Sequence, residues 1–325
     1  MISKTKFLID DDTIKKMFRK AGIDKIKTIS PLGAGEFNAV YEVFADRNYV
    51  LKIAPHPKTP VLTYEKDMLR AEIYWYEIMK KNTDIKTPEI YYKDFSREII
   101  PADWFIMEKL SGKQVDKTDI DKNIVTEKSA KMIAQIHNIH NDKFGYIQNE
   151  LHETWYDALC SIIQNLLDDC KRVGRKSKSG EKLLAFAQKY RDILVKVPCC
   201  MINYDLWAPN IICSTNDKNA VEFAWIDPER SFWGDRIFDF LCFENPIGLI
   251  DTKRKSIEFY NTVAYSEIKI NREIEIRFAF ALGLLALIQE TEKYYRYTPK
   301  NFGWWRNIAG QKTYYFQAFR VLKNG

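Results

Sequence analysis

An aspartate, an asparagine five residues later and a second aspartate after a short apolar strand are the side chains of a phosphoryl-transfer centre. The sequence carries them as Asp205, Asn210 and Asp227, within Asn203-Tyr204-Asp205-Leu206-Trp207-Ala208-Pro209-Asn210 and Trp225-Ile226-Asp227-Pro228. In such a centre one carboxylate takes the proton of an attacking hydroxyl, while an amide oxygen and another carboxylate hold Mg²⁺ against nucleotide phosphates. Asp-x-x-x-x-Asn alone recurs by chance in any chain of this size. Its weight comes from what precedes it, in order: a glycine turn, a lysine strand and a glutamate helix.

Residues 26–44 read as two strands around Leu32-Gly33-Ala34-Gly35-Glu36-Phe37-Asn38. Gly33 and Gly35 leave room for backbone amides to approach an anion, although an ordinary hairpin turn would look the same. Tyr49-Val50-Leu51-Lys52-Ile53 is a third strand, and a lysine inside an apolar strand is costly to bury unpaired. It either snorkels from a sheet edge or meets a partner. The helix expected over residues 62–80 offers one: Leu69, Glu72, Tyr76 and Met79 share a face, so Glu72 lies on the apolar side. A Lys52–Glu72 pair solves both burial problems and aims the lysine at the α- and β-phosphates. Glu65 and Glu77 are the competing glutamates.

Two more strands are expected at residues 90–92 and 104–108, the second running into Lys109-Leu110-Ser111-Gly112, a natural joint between lobes. Helices follow over residues 124–140, 155–173 and 181–190, then the strand-loop-strand unit 201–227, then helices to the end. His137 and His140 read as packed, hydrogen-bonded helix residues, since no carboxylate cluster accompanies them as metal ligands. The division is therefore residues 1–110 as a nucleotide-binding lobe, a hinge at about 108–112, and residues 111–325 as a catalytic and substrate-binding lobe.

Composition fits two lobes: 325 residues, 46% hydrophobic, 29% charged,. A net charge of +6 spread along the chain gives no reason to expect a nucleic-acid partner,. Six irregularly spaced cysteines read as reduced, mostly buried thiols of a cytoplasmic protein,. The N-terminus lacks a signal-peptide core, and the longest apolar run, residues 278–288, is too short to span a bilayer and reads as a buried helix.

From Gly33 to about Phe243 the pattern resembles the aminoglycoside phosphotransferase family of small-molecule kinases, which takes in choline- and fructosamine-kinase-like enzymes. The most specific stretches are Asp205-Leu206-Trp207-Ala208-Pro209-Asn210-Ile211-Ile212 and Ile226-Asp227-Pro228-Glu229-Arg230-Ser231-Phe232-Trp233-Gly234-Asp235-Arg236-Ile237-Phe238-Asp239-Phe240. The resemblance implies an α+β, bilobal, protein-kinase-like fold: a small N-terminal lobe with an antiparallel sheet plus one helix, and a larger, mainly helical C-terminal lobe. It implies ATP or GTP with Mg²⁺, Asp205 as catalytic base, Asn210 and Asp227 as metal ligands, and Lys52 with Glu72 on the phosphates. The Glu108 carbonyl and Leu110 amide would contact the purine, Gly33 and Gly35 would cover the phosphates, and Asp235 and Asp239 would brace the loop. The protein would act as a monomer or homodimer, with no membrane partner.

Two positions depart from the family pattern. Asn38 stands where a protein kinase has a third glycine, and Asn203 replaces a histidine usual two residues before the catalytic aspartate. Because of Asn203, a nucleotide-binding regulatory module with weak or no catalysis is the alternative to an enzyme. A protein kinase is disfavoured: Asp227 is followed by Pro-Glu rather than Phe-Gly, with no Ala-Pro-Glu segment downstream. A small acceptor hydroxyl is expected, and the carboxylates Glu150, Glu153, Asp157, Asp168 and Asp169 with aromatics such as Trp304 and Tyr314 would suit an amino sugar or amino alcohol. The same residues also read as a solvated helix face over a packed aromatic core.

Overall fold

Two-residue alternation organises the first third of the chain. The computed structural model describes residues 3–32, 37–215 and 220–324. Helix α1 (Asp11–Lys20) precedes strands β1 (Thr28–Pro31), β2 (Ala39–Phe44) and β3 (Asn48–Ile53); helix α2 (Met68–Asn82) and strands β4 (Ile90–Asp94) and β5 (Trp104–Glu108) follow. The strands form one antiparallel sheet in the order β1-β2-β3-β5-β4. On β3, Tyr49, Leu51 and Ile53 pack with Ile14, Met17 and Phe18 of α1, whereas Val50 joins the core containing Leu69, Ile73 and Tyr76 of α2. Lys52 shares the face of Val50 by the pleat, so the strand itself aims it at α2. The sheet therefore has a helix on each face, α2 on one and the short opening helix α1 on the other. Helix α1 is capped by Asp10, whose carboxylate accepts the Thr13 N–H at 2.8 Å,.

The helix expected over residues 62–80 is interrupted. Thr63–Glu65 form a single 3₁₀ turn, Asp67 takes a left-handed backbone (φ 55°), and the α-helix begins at Met68. Glu65 explains the break: its carboxylate accepts the Leu62 N–H at 2.8 Å and pairs with Arg296, far along the chain.

Beyond β5 come β6 (Lys113–Gln114), α3 (Lys122–His137), α4 (Trp155–Arg172), α5 (Lys178–Lys189), α6 (Arg191–Leu194), β7 (Cys200–Ile202), β8 (Ile211–Thr215), β9 (Val221–Trp225) and β10 (Phe232–Gly234). Helices α7 (Arg254–Asn261), α8 (Arg272–Arg296) and α9 (Phe302–Lys323) complete this larger, helical half. Strands β6-β8-β9 and β10-β7 form two small antiparallel sheets that carry the loops of the site. Helix α8 contains the apolar run 278–288 and is buried on nearly every side, as a helix without a polar face must be. Among the described residues no helix is long and apolar enough to cross a membrane. At the joint, Gly112 (φ 120°) passes so close to β8 that a Cβ would lie 2.3 Å from the Cys213 carbonyl oxygen. The six cysteines are unpaired thiols.

The halves also meet away from that joint. Asp169 of α4 accepts the Thr63 N–H at 2.7 Å and the Thr63 hydroxyl at 2.6 Å, and Gln148 donates to the Tyr64 carbonyl at 2.6 Å. Helix α3 ends at His137, so His140 lies outside it, 3.0 Å from the Cys199 carbonyl. His137 lies 3.1 Å from both the Tyr260 hydroxyl and Asp239. Among the described residues no group of three or more His, Cys, Asp or Glu could hold a metal ion.

Candidate active site

The Lys52 ammonium lies 2.8 and 2.7 Å from the two Glu72 carboxylate oxygens and also contacts Oδ1 of Asp227. Lys52 and Glu72 are buried. Burial alone would lower the Lys52 pKa, but Asp227 and Glu72 outweigh it, and the ammonium is held well above its ordinary range. Burial raises the Glu72 carboxyl against the pull of Lys52. Tyr76, one turn beyond Glu72, donates its hydroxyl to Glu72 Oε1 at 3.1 Å and accepts the Asp227 N–H at 3.2 Å. Lys52, Glu72, Tyr76 and Asp227 thus close a ring that ties β3 and α2 to the loop after β9. Asp227 needs holding, because its φ of 57° is a conformation L-residues seldom adopt,. Tyr76→Phe keeps the ring packing and removes both bonds, leaving the Asp227 N–H unsatisfied. It is expected to cost about 1–3 kcal/mol of stability, read as a lower thermal midpoint.

Asp205 sits between β7 and β8. Its N–H donates to Oδ1 of Asn203 at 3.1 Å, and the Asn210 amide donates to its carbonyl at 3.0 Å and its carboxylate at 3.1 Å. Asn203 therefore braces the loop from the position where the family pattern has histidine. Asp239 supports the loop from below, accepting the N–H groups of Asn203 at 3.1 Å and Tyr204 at 2.6 Å. Tyr204 is left-handed (φ 60°) and is pinned through its hydroxyl to the Ala281 carbonyl at 3.0 Å. Asp235 accepts the Ile237 N–H at 3.0 Å and holds Arg277 of α8 through two bonds of 2.8 and 2.6 Å. Burial raises the Asp205 carboxyl, and Arg230 opposes that rise.

The donor set fits Mg²⁺. The Asn210 amide nitrogen is committed to Asp205, which would leave its oxygen to ligate a metal, and the Asp227 side chain is 40% exposed with Oδ2 beside the oxygen that meets Lys52. Both are hard oxygen ligands of the kind Mg²⁺ takes together with phosphates.

Glu108 ends β5 and Leu110 lies just beyond it; the Leu110 N–H makes no hydrogen bond among the described residues. Gly33 and Gly35 lie outside the described residues. Glu77 is on the surface with Lys93, 2.6 Å away, and Glu65 serves Arg296, so neither competes for Lys52. The five carboxylates considered for a cationic acceptor do not converge. Glu153 pairs with Lys143, Asp168 with Lys171, Asp157 accepts the hydroxyl of Thr154, the residue that caps α4, Asp169 holds Thr63, and Glu150 is exposed. Trp305 and Phe316 are exposed on α9, and Trp304 packs edge-on against Tyr294. Sequence reasoning does not single out Tyr76 as a member of this ring; its signal is its place four residues after Glu72 on the same helical face.

Residues 28–247 match the phosphotransferase enzyme family. No curated protein matches the chain. Among solved structures, a putative fructosamine-3-kinase from Thermobifida fusca YX-ER1 is similar at 17% identity and a TM-score of 0.66, covering 97% of this chain and 100% of that one. The aminoglycoside phosphotransferase APH(2'')-Ib, ADP-bound, is similar at 15% identity and a TM-score of 0.58, covering 96% and 99%. A GDP and kanamycin complex of another aminoglycoside phosphotransferase is similar at 12% identity and a TM-score of 0.61, covering 93% and 97%. At these identities the likeness is one of fold.

Proposed function

Because the chain belongs to the phosphotransferase enzyme family, we propose that it moves the γ-phosphoryl group of ATP or GTP to a hydroxyl of a small molecule in a Mg²⁺-dependent reaction. One observation carries the proposal: Lys52, Glu72 and Asp227, from distant parts of the sequence, meet at bonding distance in one ring, and Asp205 and Asn210 do so in the loop between β7 and β8. Asp205 is the base. It takes the acceptor proton as a new oxygen–phosphorus bond forms, and the bond to the leaving nucleoside diphosphate breaks with its electron pair. Asn210 and Asp227 would hold the metal, which when bound neutralises phosphate charge. Lys52, fixed by Glu72, orients the α- and β-phosphates, and the Glu108 carbonyl and Leu110 amide take the purine. Gly33 and Gly35 are proposed to line the phosphates.

The test is nucleotide consumption with Mg–ATP and Mg–GTP across two groups of acceptors: aminoglycosides and amino alcohols, and alcohols that carry an acid group. Turnover is expected with a member of the panel and is expected to vanish when a chelator removes Mg²⁺. Turnover that survives chelation would refute the metal assignment. The regulatory-module reading rests on Asn203, whose side chain nevertheless holds the Asp205 N–H. That reading gains only if a folded, nucleotide-binding protein stays at background with every acceptor and with water.

A further inference from the structure

Between the loop that follows β3 and the helices α4 and α8 lies a cavity of about 430 Å³, within the size range of small-molecule sites,. One wall is the segment 56–60 with Lys4 near the N-terminus, and the other is Val173 at the end of α4 with Tyr294 and Tyr295 of α8. Both walls are held in place. The His56 ring stands edge-on to Phe7 at 5.2 Å, and its Nδ1 accepts the Lys58 N–H at 3.1 Å. That bond fixes the tautomer: Nε2 carries the proton, and it has no partner among the described residues,. On the opposite wall the Tyr295 hydroxyl donates to the Asp169 carbonyl at 2.8 Å, and Arg172 reaches across to the Val61 carbonyl at 3.1 Å.

No residue that lines the cavity is acidic, whereas Lys4, His56 and Lys58 all bring donors to it. Among the described residues no carboxylate lies within ion-pair distance of Lys4 or Lys58. Two guanidiniums flank the tyrosines, Arg172 over the Tyr295 ring at 5.7 Å and Arg175 over the Tyr294 ring at 5.3 Å. Arg172 is neutralised by Asp169, but Arg175 has no carboxylate partner among the described residues. Three cations thus stand unopposed around a wall of aromatic and aliphatic carbon. Such a cavity repels an amine and attracts an anion. Two ammonium point charges and an N–H donor match the dianionic head of a phosphate better than the single charge of a carboxylate.

We propose that this cavity binds a phosphomonoester, its head held by Lys4, Lys58 and the Nε2–H of His56 and its apolar body against Val173 and the two tyrosine rings. The ester is a ligand here and does not react. The site shares no residue with Lys52, Glu72, Tyr76 and Asp227 or with Asp205 and Asn210, so the inference does not depend on the phosphotransferase reading. One wall continues from β3, which carries Lys52, and the other belongs to the helical half. An occupant therefore joins the two halves of the chain and stabilises the folded state by mass action.

The full chain is titrated calorimetrically with phenyl phosphate in phosphate-free buffer, with and without saturating Mg–ADP. Inorganic phosphate, benzoate and benzyl alcohol are the comparisons. Phenyl phosphate is expected to bind once per chain, to raise the thermal midpoint and to be indifferent to Mg–ADP, and benzyl alcohol is expected not to bind. Lys4→Gln combined with Lys58→Gln should weaken binding by about 10-fold or more, since each removes a charged donor. Lys16→Gln combined with Lys81→Gln takes the same charge from exposed lysines elsewhere and should bind as the wild type does. Lys58→Glu carries the comparison if the first double variant does not fold. Absence of binding in the millimolar range overturns the proposal. Displacement by Mg–ADP places the ester in the nucleotide cleft and overturns it as well. Equal losses in the two double variants reduce the effect to the general charge of the chain, with the same consequence. Inorganic phosphate or benzoate binding as tightly as phenyl phosphate overturns the ligand class.

Discussion

Replacing Asp205 with alanine is expected to lower phosphoryl transfer by about 10²–10⁴-fold, the usual loss of a general base, with little change in nucleotide affinity. The separation follows from the geometry. Among the described residues Asp205 bonds to Asn203 and Asn210, and no hydrogen bond or ion pair joins it to Lys52, which belongs to Glu72 and Asp227. Alanine also deprives the Asn210 amide of one of its two acceptors on Asp205, so Asp205→Asn is the companion variant: it keeps the shape and cannot take a proton. Both should bind a fluorescent nucleotide as the wild type does while turning over slowly. Wild-type turnover in either would remove Asp205 from the reaction, and a collapse of nucleotide binding in both would make it a phosphate-site residue instead.

The largest effect on stability is expected at Arg277. Its guanidinium holds Asp235, a fully buried carboxylate, through two bonds of 2.8 and 2.6 Å. Arg277→Met fills similar space and leaves Asp235 charged and unpaired in the interior, a loss of about 3–5 kcal/mol for breaking one side of a buried pair. That is a large share of the roughly 5–15 kcal/mol by which a folded domain exceeds its unfolded chain. Adding Asp235→Asn removes the stranded charge, so the double variant should be more stable than Arg277→Met alone. Urea midpoints at matched slopes measure both. Equal stability of wild type and Arg277→Met would show that the pair contributes nothing to folding.

The Lys52–Glu72 contact was legible in the sequence because two local periods converge on it. The pleat fixes the face of Lys52, and the helical repeat fixes that of Glu72. The start of α2 was not, because the 3₁₀ turn at Thr63–Glu65 is dictated by Asp169 and Arg296, which no local window contains. His140 escaped for a similar reason. The helical pattern continues past His137, but the backbone there turns to bridge Cys200. Arg230 lies in a loop, where no period assigns a face, and only the folded chain brings it to Glu292 of α8. Asn203 was read as a departure from a pattern; that it takes over the support of Asp205 depends on a 3.1 Å contact no sequence displays.

The turn before α2 is fastened to the helical half by Thr63 and Gln148 hydrogen bonds and by the buried Glu65–Arg296 pair. Swinging α2 outward, the movement that would separate Glu72 from Lys52, would strain that pair and the hydrogen bonds beside it. The pairing of Glu72 with Lys52 is thus tied to the helical half at a second point, well away from the joint at Gly112.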